Sequence, residues 1–320
     1  MLIEAREQHS PNIAGVDFTS AAFLGRPREL FAATHEVNAN IKDPEKRLGV
    51  ELYPFLRKVV LGDMLHTITF GKSPFPIGVT EDRVRSWQKE FPLTKVERIH
   101  LEFNFDKQEE NHRIFVGERE NGKMHQAYQV IWKVYFGPAI SMRGVELAHA
   151  LEDQRVGVNA HMNVWGGFAK IGRTEEVKQK VAFALGENER DYDIEQRLLP
   201  ERQYVYNPVR VAELVEQLNL DGMVLGIDHA FDEGQDIAEL LNSEEVRKNT
   251  RVIHFAKSNH GIITPQDAQA EQVLRQIKET AFDKGPVRIA FDFGPDAIKG
   301  LNHGQIVEKM QVLREWALAA

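Results

Sequence analysis

Four positions in the second half of the chain carry residue types that hold divalent cations and move protons: Glu195, Asp228 with His229 beside it, His254 and Asp292. Each closes or follows a short apolar run, YDIEQ for Glu195, MVLGID for Asp228, RVIHF for His254 and VRIAFDF for Asp292. Taken singly, an acidic residue after such a run reads as a cap or turn former. Taken as a series, four strands that each deliver one carboxylate or imidazole to the same rim would surround a point with the oxygen and nitrogen donors a divalent cation needs.

Further imidazoles fall in comparable places. His66 in MLHTITF, His100 in RIHLEFNF and His161 in VNAHMNVW sit on three earlier strand candidates. Each alone reads as a hydrogen-bonded core histidine, and as a set they provide for a second metal ion, since imidazole suits manganese, iron and zinc alike. His260 and Lys257 lie in the polar stretch AKSNHG just past His254, where they are available to metal, substrate or solvent. His9, His35, His112, His125, His149 and His303 occupy polar contexts that suggest no role.

The elements that must position these groups follow from the patterning. From Val156 onward, short apolar runs alternate with amphipathic stretches, the signature of successive β-α units on a parallel sheet. The expected strands are Val156–Gly167 with its loop, Tyr192–Gln196, Met223–Asp228, Arg251–Phe255 and Val287–Phe293. Between them, helices are expected from Val177, Val181 and Leu185; from Val211, Leu214, Val215 and Leu218; from Ile237, Leu240, Leu241 and Val246; and from Val273, Leu274 and Ile277. A last helix carries Ile306, Met310, Leu313 and Trp316. Asn207-Pro208 and Thr264-Pro265 each read as an N-cap followed by proline at the first helical position. The first half supplies strand candidates at Ile13–Phe18, Met64–Phe70 and Val96–Phe105, and the segment around 106–150 reads as an insertion. Five consecutive units fit an α/β fold, either a (β/α)8 barrel or a doubly wound sheet.

Composition narrows the function classes. The chain has 320 residues, 42% hydrophobic and 28% charged, within reach of one large barrel domain spanning 1–320. Its formal net charge of −8 argues against a nucleic-acid partner. Arg197, Arg202 and Arg210 are scattered and form no basic cluster with interleaved aromatics. With no cysteine, any metal must be held by nitrogen and oxygen. The charged start MLIEAREQHSPN does not read as a signal peptide, and no run of about 18 apolar residues occurs, so a cytoplasmic protein without a membrane span is expected.

These residues resemble the xylose isomerase-like superfamily of TIM barrels, which includes sugar isomerases and epimerases, endonuclease IV and UV damage endonuclease. The likeness is densest from Val156 to Pro295. The stretch from Asp193 to Ile237 resembles the family's strand-five glutamate followed by its strand-six aspartate and histidine; RVIHFAKSNHG resembles strand seven and IAFDFGP strand eight. The resemblance implies that Glu195, Asp228, His254 and Asp292 are the four metal ligands of the epimerase branch, and the intervals of 33 residues from Glu195 to Asp228 and 26 from Asp228 to His254 are close to that branch's pattern. Two departures stand out. Strand eight ends in Asp292 where glutamate is usual, and Asp228 and His229 are adjacent where the family has Asp-x-x-His. HMNVWGGF instead resembles the strand-four histidine and paired glycines of the endonuclease branch, which keeps several histidines for a multi-metal cluster.

The implied activity is a divalent-metal-dependent isomerase or epimerase that moves a proton beside a carbonyl of a small carbohydrate. Glu195 and Asp292 would then be the acid-base pair on opposite faces, with Asp228 and His254 holding the ion. The metal is expected to be one of manganese, magnesium, zinc, cobalt or iron. The alternative is a multi-metal endonuclease or phosphohydrolase, for which His66, His100, His161, His229 and His260 supply additional ligands; an iron enzyme on the same rim is a third. A non-catalytic interaction protein has little reason to aim so many polar groups at one rim. The expected partner is a small molecule, and a homo-oligomer is left open.

Overall fold

The computed structural model describes residues 12–23, 26–54, 78–101, 137–160, 175, 183–185 and 207–319. Eight strands run parallel: β1 (Ile13–Thr19), β2 (Gly49–Leu52), β3 (Lys95–Leu101), β4 (Gly157–Ala160), β5 (Phe183–Leu185), β6 (Gly222–Gly226), β7 (Thr250–His254) and β8 (Val287–Phe291). Each pairs with the next and β8 pairs with β1, which closes the sheet. The closed parallel cylinder is a (β/α)8 TIM barrel, and closure excludes the doubly wound sheet.

Helices follow the strands: α1 (Pro27–Ala39), α2 (Glu81–Glu90), α3 (Gly137–Ala150), α4 (Pro208–Gln217), α5 (Ile227–Asp232), α6 (Ile237–Asn242), α7 (Glu244–Asn249), α8 (Ala268–Glu279) and α9 (His303–Leu318). Their local signals are physical. Pro27 and Pro208 stand in the first turn of α1 and α4, where a missing N–H costs nothing. Asn207 caps α4 by accepting from the Arg210 N–H, as its sequence predicts. A reciprocal capping box between Asn302 and Gln305 starts α9. Thr264 does not cap α8; the helix starts three residues later, with Asp267 accepting from the N–H groups of Gln269 and Ala270. Among the described residues no helix is long and apolar enough to cross a membrane.

Strand alternation sorts side chains between two environments. Val16, Phe18, Val50, Leu52, Ile99, Leu101, Val158, Leu225, Ile253, Ile289 and Phe291 belong to one apolar core with the helices. The intervening residues point into the barrel. There a small cluster of Val224, Val252 and Ala290 is the described apolar filling on one side. The remainder is polar: Arg288 donates two hydrogen bonds to Asp17, at 2.8 and 2.5 Å, and Arg98 donates to Asn159 Oδ1 at 3.0 Å. Glycines make room for these long side chains. A Cβ at Gly15 would lie 2.7 Å from Arg288 Nη1, and one at Gly157 would lie 3.1 Å from Arg98 Nη1.

Two expectations change, and two strand candidates lie outside the described residues. The second strand is Gly49–Leu52, whereas Met64–Phe70 lies outside the described residues. The fifth strand is Phe183–Leu185, in a stretch whose Val177, Val181 and Leu185 spacing reads as helix; Tyr192–Gln196 lies outside the described residues. Pairing with β4 and β6 decides this, a long-range constraint that local periodicity does not carry. The sixth strand stops at Gly226, so Asp228 and His229 sit on the short helix α5 and not on a strand. The stretch around 106–150 ends in α3, the helix that follows β3, and 106–136 lie outside the described residues.

Candidate metal centre

The upper layer of the barrel interior, at the C-terminal ends of the strands, is built from β2, β3, β4, β7 and the residue after β8. Glu51 Oε1 accepts from Asn159 Nδ2 at 3.0 Å and lies 2.5 Å from His100 Nδ1 and 3.0 Å from His254 Nε2. All four side chains are buried. One donor atom from each of Glu51, His100 and His254 can be chosen so that the three lie within 4.8 Å of one another, a spacing that accommodates a cation. The rings are organised by stacking: Tyr53 on His100 with centroids 4.6 Å apart, and His100 on His254 at 5.1 Å.

A second group stands next to the first. Asp228, His229 and His260 also bring donor atoms within 4.8 Å of one another. His260 Nδ1 is 3.1 Å from Asp228 Oδ2 and 3.3 Å from Asp292 Oδ2. Asp292 thus lies between the groups, because its Oδ2 is also 3.4 Å from His254 Nδ1. Thr19 donates to Asp292 Oδ1 at 2.7 Å, which fixes the carboxylate from β1. The first group is sealed, with side chains 0–2% exposed, while His229 and His260 retain 19% and 13%. The second group therefore faces the mouth.

Backbone geometry contributes to this arrangement. His260 has φ of 53°, the left-handed region that a residue with a Cβ occupies only when its surroundings hold it there. A paired bridge between Lys257 and Gly261 and the Gly294 N–H bound to the His260 carbonyl supply that hold. Asp228 and His229, as neighbours on a helical turn, both reach the second group, which their strand reading would not have allowed.

Charge balance explains why these acids tolerate burial. Burial alone would raise the Glu51 pKa, but the charge of His254 and the hydrogen bonds of both histidines hold it far below the ordinary carboxylate range. Burial acts in the same direction on Asp292 and is likewise overcome by His260 and His254, leaving its pKa well below normal. A carboxylate oxygen facing two imidazole nitrogens demands positive charge between them, whether protons on the rings or a cation. Glu51 Oε2 makes the demand specific: it is buried and, among the described residues, has no hydrogen-bond partner. Such an oxygen is costly unless something binds it. Two imidazoles and a carboxylate are also a set that divalent transition metals favour, so the residues fit a metal.

Of the residues singled out in the sequence, His100, His254, Asp228, His229, His260 and Asp292 are brought together here. Lys257 is not among them; its ammonium pairs with Asp267 at the start of α8. Glu195, His66 and His161 lie outside the described residues. Sequence reasoning missed Glu51, Asn159 and Arg98. The signal for Glu51 is one carboxylate inside the apolar stretch Leu48–Tyr53, with Val50 and Leu52 facing the helices and Gly49 and Glu51 facing inward.

No protein-family model matches the chain, and no curated protein matches it. Among solved structures it is similar to a xylose isomerase domain protein from Alicyclobacillus acidocaldarius subsp. acidocaldarius, at 9% identity and a TM-score of 0.47, covering 95% of this chain and 99% of that one.

Proposed function

We propose that the protein is a divalent-metal-dependent isomerase or epimerase that moves a proton beside a carbonyl of a small carbohydrate. The observation that supports this is the sealed Glu51–His100–His254 group with its buried carboxylate oxygen lacking a hydrogen-bond partner among the described residues. When bound there, a divalent cation would polarise substrate oxygens and so acidify the neighbouring C–H. The two imidazoles favour manganese, cobalt, iron or zinc over magnesium. The net charge of −8 accords with a small neutral substrate.

The side chains divide the remaining work. Asp292, held ionised between two histidines, is a weak base and serves to orient His254 and His260. Glu195 keeps its expected role as a base on one face of the substrate. His260, at the mouth and in contact with two carboxylates, is the group to return the proton on the other.

A second reading, a two-cation phosphohydrolase, is favoured by the separate Asp228–His229–His260 group. Elemental analysis of purified protein, paired with solvent-deuterium incorporation into aldoses and ketoses, separates the two. About one ion per chain and deuterium at the carbon beside the carbonyl is the expected result. Two ions, hydrolysis of a nitrophenyl phosphodiester and no exchange would transfer the assignment to the second reading. A chain that binds no divalent ion refutes both.

A further inference from the structure

We infer that Asn159 is a positioning residue for the metal centre and that Arg98, beneath it, sets its orientation. The inference rests on the metal-dependent reading above. An amide side chain can present either its oxygen or its nitrogen to a neighbour, and only one choice is useful here. Arg98 Nη1, a donor that cannot accept, lies 3.0 Å from one end of the Asn159 amide. That end must be oxygen, so the NH2 group is forced toward Glu51, where it donates to Oε1 at 3.0 Å. With Oε1 held from below by Asn159, the carboxylate cannot rotate freely, and the face that Glu51 turns to His100 and His254 is fixed.

Neighbouring strands make the relay compact. Arg98 and Asn159 lie on the paired strands β3 and β4, whose register sets Arg98 against Gly157 and His100 against Asn159. Gly157 leaves room for the guanidinium, because a Cβ there would stand 3.1 Å from Arg98 Nη1 and 3.4 Å from its Cζ and crowd it. The chain thus gives up a side chain on β4 to seat a guanidinium under the amide. Guanidinium, amide and carboxylate form one line from the barrel interior to the metal group, the arrangement by which outer partners fix the direction of a ligand.

The test is manganese affinity measured by electron paramagnetic resonance on the full chain, with the visible absorption of the cobalt-loaded protein as a second readout. Asn159→Ala is compared with Val84→Ala, a cavity variant in α2 and outside the barrel interior. The expected result is manganese binding weakened about 10- to 100-fold in Asn159→Ala, with a changed cobalt spectrum, and binding retained within about twofold in Val84→Ala. Equal weakening in both variants would mean general loosening and overturns the proposal. Retained affinity in Asn159→Ala overturns it as well, while leaving the metal-dependent reading intact. If the unmodified chain binds no manganese, both fall together. Should Asn159→Ala not fold, Arg98→Met removes the donor that orients the amide; weakening of about threefold or more supports the relay, and less overturns it.

Discussion

The barrel interior holds two charged layers that look alike in composition and differ in what they leave unsatisfied. In the lower layer Asp17 and Arg288 close on one another through two hydrogen bonds from the guanidinium to the carboxylate. Burial pushes Asp17 toward neutrality, but a two-pronged contact of this kind is that of an ionised pair, and Arg288, despite its own burial, is held charged by Asp17. The upper layer gathers two imidazoles around the Glu51 carboxylate and leaves its Oε2 without a hydrogen-bond partner among the described residues. A pair that satisfies itself is structural. A group that collects electron-pair donors and leaves a buried oxygen without a hydrogen-bond partner among the described residues could hold a cation.

The largest effect that sharpens this contrast lies in the lower layer. Arg288→Met leaves Asp17 buried without its partner, and an unfolding free energy lower by about 3–5 kcal/mol is expected from denaturant titration. If the variant loses less than about 1 kcal/mol, the lower layer is not the structural element claimed.

Glu51→Gln removes the carboxylate and nearly preserves its shape. The unmodified protein should gain about 2.7 kcal/mol of stability in manganese at 100 times its dissociation constant, and the variant should lose most of that gain. A thermal shift with and without the ion measures the difference. An undiminished shift in Glu51→Gln would remove Glu51 from the metal centre.

The smallest effect is in acid, without metal. Glu51 and Asp292 have folded pKa values depressed below the ordinary values of about 4.3 and 3.9, so their contribution is complete above those values and is lost as the pH falls toward the folded ones. Stability of the metal-free protein should decline as the pH drops from about 5 to 3, and less steeply in Glu51→Gln. Equal slopes in the two proteins would show that the upper layer does not carry the acid sensitivity.

Legibility in the sequence followed the range of the interactions. His254 and Asp292 were visible because β7 and β8 are compact apolar runs with one polar residue at or just past the end. The helix faces were visible for the same local reason: Val211 and Val215, Val273 and Ile277, and Ile306 and Met310 are all buried at helical spacing. Glu51 was not, because a four-residue strand with two inward positions, one of them glycine, is too short for a periodic signal. Asp228 misled by standing two residues past β6, where a helical turn and a strand end look alike in one dimension.

By itself, then, the sequence determined the alternation of helices and strands from α4 onward, the absence of thiolate ligands and the supply of acids and imidazoles near strand ends, all of which depend on neighbours in the chain. Tertiary structure alone decided which of those groups meet. Closure of the barrel sets β1 beside β8 and brings Glu51 to His254 across 203 positions. It also places Arg98 under Asn159 and Asp292 between two histidines. The cause is register: hydrogen bonding between strands aligns residues remote in sequence, and side chains that alternate inward and outward then share one enclosed space.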